Sequence, residues 1–448
     1  MYVSELSLYR HQEEGVAFLK SQPKHALLWD EQRVGKTPQA IVASGELGLK
    51  KVVVVTPVSG VGVWRHQWKQ WDKWHRTPMI VPWSRMSNGG FAIPEHGMCD
   101  LVILDEGHYA KSFAAERTRS VYGQLHGAKL IQDRALIPHA RHVWHLTGTP
   151  APHDPSDLFP TLLALFPQVL TPHDGYPDVT TLEKFRTRYC VTKLIKRGAQ
   201  WIKVVIRGQN EAELNLRLKG LFLRRRQKDV GIRPAFWDML PIEIGNAERQ
   251  RLFAAIDHDH LQRIVNNRAL AEIEPMLAPV RRITGVVKAK AMVPFVEEYL
   301  DDNPGEKLVL FYWHRDVGDL LVEKLGRFFP ARVDGAVTGD ERSNLVRFFG
   351  ANEKCRLFLG QIAASGEAID LSAASEAWFV ESTFTPAQMA QAGARITNLN
   401  QKRQCLVRVA AVEDTIDEAI QGRLIDLSRS IAHTLGETYH EDFTAHRS

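Results

Sequence analysis

Gly35, Lys36 and Thr37 follow an apolar run that ends at Trp29 and precede a helical stretch that opens at Pro38. A glycine-containing turn between strand and helix lets backbone amides and the helix N-terminus face phosphate oxygens. A lysine at this point reaches the terminal phosphates, and a threonine hydroxyl can ligate magnesium. Further along, Leu101, Val102, Ile103 and Leu104 run directly into Asp105 and Glu106. Carboxylates at the carboxyl end of a buried strand stand where open α/β sheets bind ligands. There Asp105 can hold magnesium through water and Glu106 can polarise an attacking water. A bare Gly-Lys-Thr is as often an ordinary helix start, and a lone acid pair can be a solvated strand end. In this order on one chain they describe a site that hydrolyses a nucleotide.

The elements that must position these residues come in two sets. Short β-branched runs at 51–56, 101–104 and 142–146, and again at 308–312, 356–359, 377–380 and 405–409, alternate with amphipathic stretches. Continuous apolar strands of this kind belong to parallel sheets covered on both faces. The expected class is α/β, twice over. The stretch from 154 to about 230 reads as mostly helical, with a strand-like run from Trp201 to Ile206. The expected domains are 1–235 and 236–448. Trp64, Trp68 and Trp71 have the spacing of a core-facing helical stripe rather than a platform for stacking bases.

A length of 448 residues with 44% hydrophobic and 24% charged residues fits two folded domains. The net charge of +5 permits contact with a polyanion without requiring it. Cys99, Cys190, Cys355 and Cys405 are far apart and form no C-x-x-C pair, which argues against a zinc site or a disulfide framework and for a reducing, intracellular setting. No basic-then-apolar leader opens the chain and no apolar window is long enough to span a bilayer, so neither secretion nor membrane insertion is expected.

Asp105-Glu106-Gly107-His108 and Leu146-Thr147-Gly148-Thr149-Pro150, downstream of Gly35-Lys36-Thr37, resemble the superfamily 2 helicase-like ATPases of the Swi/Snf type. Gln12 resembles that family's adenine-reading glutamine. Thr56 and Trp64 resemble its segment that touches a DNA strand, and Lys111 follows the acid box as in the family. Phe185 to Cys190, Asn210 and Leu223 to Val230 resemble the inter-lobe insertion of HepA-related annealing helicases, with Arg224, Arg225 and Arg226 where the family bridges its lobes. In the second half, Asp334-Gly335 with Thr338, Gly339 and Arg342 resembles the D-G-x-T segment, Ser365 to Ser375 the fifth motif, and Gln391 to Gln401 the sixth.

The resemblance implies two RecA-like lobes, each a parallel sheet flanked by helices, with a helical inter-lobe insertion. It implies ATP and Mg2+ as cofactors, with Gln12, Arg33, Val34, Gly35, Lys36, Thr37 and Arg395 binding ATP. Thr37 and Asp105 would hold the metal, and Lys36, Asp105, Glu106, Gln391 and Arg395 would be catalytic. His108 would couple the nucleotide state to the Leu146-Pro150 segment through Thr147 and Thr149, and Thr56, Trp64, Lys111, Thr338, Gly339, Arg342 and Ser365 would touch DNA. The implied activity is ATP-driven translocation on double-stranded or branched DNA, as in annealing, branch migration, fork regression or protein displacement. The implied protein is a monomer of bacterial or phage source. An ATP-binding, hydrolysis-deficient DNA clamp and an RNA helicase are the alternatives.

Three departures from the family pattern stand out. Asp30 occupies the first glycine position of the phosphate-loop pattern, and Arg33 stands where relatives carry another glycine. In the sixth motif Asn398 replaces the second arginine, and a neutral amide cannot offset charge building on a transferred phosphoryl group. Such an arginine is worth on the order of 10³ to 10⁵ in rate, so turnover is expected to be weakened.

Overall fold

Continuous apolar runs become the central strands of two parallel sheets. In the computed structural model, which describes residues 7–87, 98–127, 129–197, 200–254, 270–337, 339–365, 369–383, 385–412 and 417, the chain divides into two compact units. One lies within Met1–Val191 and Gly208–Gly231, the other within Thr192–Arg207 and Ile232–His433.

The strands of the first half are β1 (His25–Leu28), β2 (Val52–Thr56), β3 (Met79–Pro82), β4 (Cys99–Asp105), β5 (Gln124–His126), β6 (Lys129–Ile131), β7 (Ala140–Leu146), β8 (Cys190–Arg197), β9 (Gln200–Gly208) and β10 (Phe222–Leu223). Six of them pair in the order β10-β1-β7-β4-β2-β3, all parallel. The pairs β5–β6 and β8–β9 form separate two-stranded sheets, and β9 contains the expected run from Trp201 to Ile206. Every residue of β2 is buried. So is each of Leu101 to Leu104, as a sheet sandwiched by helices requires.

Helices α1 (Arg10–Ser21), α2 (Lys36–Glu46) and α3 (Gly60–Trp71) cover this sheet. Val16, Leu19, Ala40, Ile41, Ala43, Trp64 and Trp68 share one core with Ala26, Val52, Val54 and Ile103, and Trp71 packs half-buried against it. The tryptophan spacing is thus a core stripe, each buried large side chain contributing about 1.5–3 kcal/mol.

The second unit contains β11 (Phe236–Pro241), β12 (Leu308–Tyr312), β13 (Ala331–Val333), β14 (Leu357–Gln361), β15 (Glu376–Phe379) and β16 (Leu406–Ala411). They form a parallel sheet in the order β11-β16-β15-β12-β14-β13. Along β12 successive residues alternate between two cores. Val309 and Phe311 pack with Met389 and Ala392 on one face, and Leu308, Leu310 and Tyr312 with Met292, Val296 and Leu300 of the helix Leu270–Asp302 on the other. The α/β class with two helix-flanked parallel sheets is the one expected.

The region from 154 to 230 is more than a helical insertion. It includes the helices Phe159–Leu165 and Leu182–Tyr189 but also β10, the edge strand of the first sheet. β10 leads into the three arginines. Arg224 donates to the carbonyls of Trp29 (2.8 Å) and Gly148 (3.1 Å). Arg225 holds Asp30 through its backbone N–H and Nε (3.0 Å each) and through Nη2 (2.5 Å), and also reaches Gln39. These two arginines, expected as a bridge between lobes, bind the loop of the first unit. For Arg225 the reason is Asp30, fully buried and in need of a cation.

Removing Arg225 leaves that carboxylate buried and unpaired. Arg225→Met is expected to destabilise the first unit by about 3–5 kcal/mol in denaturant unfolding. Arg226→Met, which loses a surface pair with Asp229, should cost less than about 1 kcal/mol; equal losses would refute the clamp.

Candidate functional site

β1 ends at Leu28 and α2 begins at Lys36, so the connecting loop presents its amides at the carboxyl end of the sheet. Gly35 caps α2 with φ +90°, and a Cβ there would lie 2.2 Å from Gln12 Nε2. Gln12 is therefore packed against the loop, its Oε1 accepting the Tyr9 N–H at 3.0 Å, while His11 Nε2 lies 3.0 Å from the Val34 carbonyl. Arg33 takes φ +70°, a region where a side chain is strained and glycine is not. The Lys36 ammonium turns into the loop, donating to the carbonyls of Asp30 (2.7 Å) and Glu31 (3.1 Å). Burial holds its pKa below the usual lysine range, against the pull of Glu106, Asp30 and Asp105. Thr37 is half-buried in the first turn of α2.

Strand register decides what faces this loop. Leu28 pairs with Leu146, and Leu146 with Asp105, so β7 alone separates the loop strand from the acid strand. Asp105 Oδ2 accepts the Thr56 hydroxyl and the Trp64 indole N–H, each at 2.7 Å. The Trp83 indole donates to the Asp105 carbonyl at 2.8 Å. Burial, then the neighbouring Glu106, pushes the Asp105 carboxyl up to about 6, while the Trp64 and Thr56 hydrogen bonds and Lys36 oppose the rise.

Thr56 and Trp64, which the resemblance implies on DNA, lie against Asp105. Both side chains are buried, Trp64 with 1% exposure, and both donors are aimed at Asp105. Lys111 is half-buried with its amine 2.9 Å from His153 Nδ1, which in turn lies 3.1 Å from Asp157 Oδ2.

Glu106 takes φ +48° and turns away from the strand. The Thr147 hydroxyl lies 3.3 Å from Glu106 Oε2 and 2.8 Å from His108 Nδ1, and His108 Nδ1 is 3.3 Å from Glu106 Oε2. Thr149 joins through its N–H to the Thr147 hydroxyl (3.1 Å). The residues expected to couple the acid box to the Thr147 turn are thus assembled around Glu106. Sequence reasoning missed His145. Its Nδ1 accepts the Trp29 indole N–H at 3.2 Å, and a Cβ on Gly107 would lie 2.5 Å from its ring. A histidine interrupting the apolar run of β7 was the available signal.

In the second unit Gln391 is buried in the helix Pro386–Gly393, and Arg395 is buried in the short turn that follows. Asn398 donates to the Ser372 hydroxyl at 2.7 Å and accepts the Asn400 N–H at 2.8 Å, so the residue at the arginine position works as a turn former. Arg403, the nearest other cation in sequence, pairs with Glu306 and reaches the Ala373 carbonyl. Asp370 accepts the Ser372 N–H at 3.0 Å, a local turn. Gly339 and Arg342 lie in the helix Gly339–Ala351, and Ser365 ends the helix Ile362–Ser365. Thr338 lies outside the described residues.

No protein-family model matches the chain. It is 25% identical over 446 residues to the DNA annealing helicase and endonuclease ZRANB3 of Mus musculus, covering 92% of this chain and 39% of that protein. It is 27% identical over 447 residues to the SWI/SNF-related matrix-associated actin-dependent regulator of chromatin subfamily A-like protein 1 homolog of Caenorhabditis elegans, covering 92% and 60%. The chain thus spans less than two thirds of the length of each of these curated relatives. Among solved structures, the Sulfolobus solfataricus SWI2/SNF2 ATPase core in complex with dsDNA aligns at a TM-score of 0.40 and 15% identity, covering 97% of this chain and 98% of that one. The homologues of this chain are annealing helicases and SWI/SNF-related proteins, the resemblance read from its motifs.

Burial, and then His108, lowers the His145 pKa to about 4. An unfolded histidine titrates near 6.5, so the unfolded chain takes up a proton that the folded one refuses. The stabilisation is complete above about 6.5 and is lost as pH falls toward about 4, with a slope of about 1.4 kcal/mol per pH unit. His145→Gln should flatten the pH dependence of unfolding free energy across that window; an unaltered slope would show that His145 is not held neutral.

Proposed function

We propose that the chain is an ATP-dependent motor acting on double-stranded or branched DNA. The observation that carries this reading is the arrangement at the carboxyl ends of β1, β7 and β4. It sets the phosphate loop, the Thr147 turn and the Asp105-Glu106 pair side by side in one sheet. The similarity to annealing helicases, which extends over 92% of the chain, supports it.

The residues present fit ATP with Mg2+. An inward-curled Lys36 capping loop carbonyls is a cation awaiting an anion. Two adjacent carboxylates, one with its pKa raised, are a site awaiting a cation. Bound Mg2+ would offset charge on the phosphates. Gln12, Arg33, Val34, Gly35 and Lys36 would hold the nucleotide, Thr37 and Asp105 the metal. Glu106, oriented by Thr147 and His108, would align a water and take its proton. Arg395 and Gln391 would assist turnover. Lys111, Gly339, Arg342, Thr338 and Ser365 would grip phosphates without reading bases, as a motor that visits every sequence must. Residues 1–235 and 236–448 would be the two RecA-like lobes. Repeated grip and release would then drive annealing, branch migration, fork regression or protein displacement.

One observation favours a second reading, an ATP-dependent DNA clamp with little hydrolysis: Asn398 and Arg403 are engaged locally in the second unit. Phosphate release measured without nucleic acid and with single-stranded, duplex and forked DNA or single-stranded RNA separates the readings. Duplex or forked DNA should stimulate it and Lys36→Ala should abolish it. Stimulation by RNA alone would overturn the DNA motor in favour of an RNA helicase, and tight ATP-dependent duplex binding without release would favour the clamp. Asn398→Arg should raise DNA-stimulated turnover by about a hundredfold; no change would refute the role given to that position.

A further inference from the structure

We propose that Thr56 and Trp64 are positioning residues that set which oxygen of Asp105 meets the divalent cation. The inference rests on the nucleotide-site reading and goes beyond it. Two donors from different elements converge at 2.7 Å on the same carboxylate oxygen: the hydroxyl at the end of β2 and the indole of Trp64 on α3. A carboxylate oxygen offers about two lone-pair sites, so Oδ2 is saturated. Among the described residues no hydrogen bond reaches Oδ1, which keeps its acceptor capacity. The Trp83 indole fixes the same residue from behind through its carbonyl, and its ring stacks on Tyr109 with centroids 6.0 Å apart and planes 13° apart. Main chain and side chain of Asp105 are thus both held.

The chemical type of the donors matters. A lysine or arginine on Oδ2 would neutralise the carboxylate and repel a metal. A hydroxyl and an indole orient it and leave its charge available. Partners of metal-holding carboxylates act in this way, and losing one typically weakens metal binding roughly 10- to 100-fold. The approach is tight enough to dictate a glycine. A Cβ on Gly60, at the start of α3, would lie 2.2 Å from Thr56 Oγ1 and 3.6 Å from Asp105 Oδ2.

The test uses the full chain with Mn2+ and ADP, reading bound Mn2+ by electron paramagnetic resonance and metal-free ADP binding in chelator. Trp64→Phe and Thr56→Val should each weaken Mn2+ binding roughly tenfold or more with metal-free ADP binding within about twofold. Thr56→Ser, which restores the hydroxyl, should recover it. Trp68→Phe, which removes a neighbouring indole that donates to the Arg76 carbonyl, should leave Mn2+ binding unchanged.

Without any ligand, Asp105→Ala should shift the Trp64 indole N–H resonance and speed its hydrogen exchange. Unchanged Mn2+ affinity in Trp64→Phe and Thr56→Val, an equal loss in Trp68→Phe, or an indole signal indifferent to Asp105→Ala would overturn the positioning role alone. An indole signal that responds as expected, in a protein that binds neither ADP nor Mn2+, would overturn the nucleotide reading and the positioning role with it.

Discussion

Parallel strands exchange hydrogen bonds in a slanted, evenly spaced ladder, and in the first sheet that ladder sets Leu28, Leu146 and Asp105 abreast. Everything chemical in the first unit follows from this alignment. The chain leaves all three strands at one edge. The loop after β1, the threonine turn after β7 and the acid pair at the end of β4 therefore lie at the same end of the sheet, although far apart in sequence. A one-residue slip of β4 against β7 would send Asp105 to the opposite face of the sheet.

Around that edge, charge is arranged without simple neutralisation. Asp30 stands where a glycine is usual, and its buried carboxylate is held by Arg225 and Gln39. The loop thereby gains a rigid anchor to the last strand of its sheet. Lys36 is left to backbone carbonyls and Asp105 to neutral donors. Neither has a close ion-pair partner that would compete with a phosphate or a metal among the hydrogen bonds described above. His145, neutral and buried, ties the indole of Trp29 to the turn at Gly107. It thereby connects the start of the loop to the acid box through the core.

The central strands were legible because each is buried on both faces and so reads as an unbroken apolar run. Within the two six-stranded sheets, the strands that sequence patterning did not mark are β3, β10, β11 and β13, the four edges. An edge strand is partly exposed, and its mixed composition resembles a loop. The phosphate loop, acid pair and threonine turn were legible because their chemistry demands particular residue types close together in the chain. The partners of Asp105 were not. Thr56, Trp64 and Trp83 meet it only through packing, and the resemblance of the first two to a DNA-touching segment pointed outward while the fold turned them inward.

Residue type and local order alone therefore determined that this chain builds two helix-covered parallel sheets, and they marked Gly35-Lys36-Thr37 and Asp105-Glu106 as candidates for a phosphate site. They also placed a neutral amide at Asn398. Tertiary structure decided the directions of side chains: Arg224 and Arg225 toward the loop, Trp64 and Thr56 toward Asp105, Asn398 into a turn with Ser372. The physical reason is that a hydrogen bond or a buried charge is satisfied by whatever stands within about 3 Å. In a parallel sheet, that neighbour comes from a distant part of the chain.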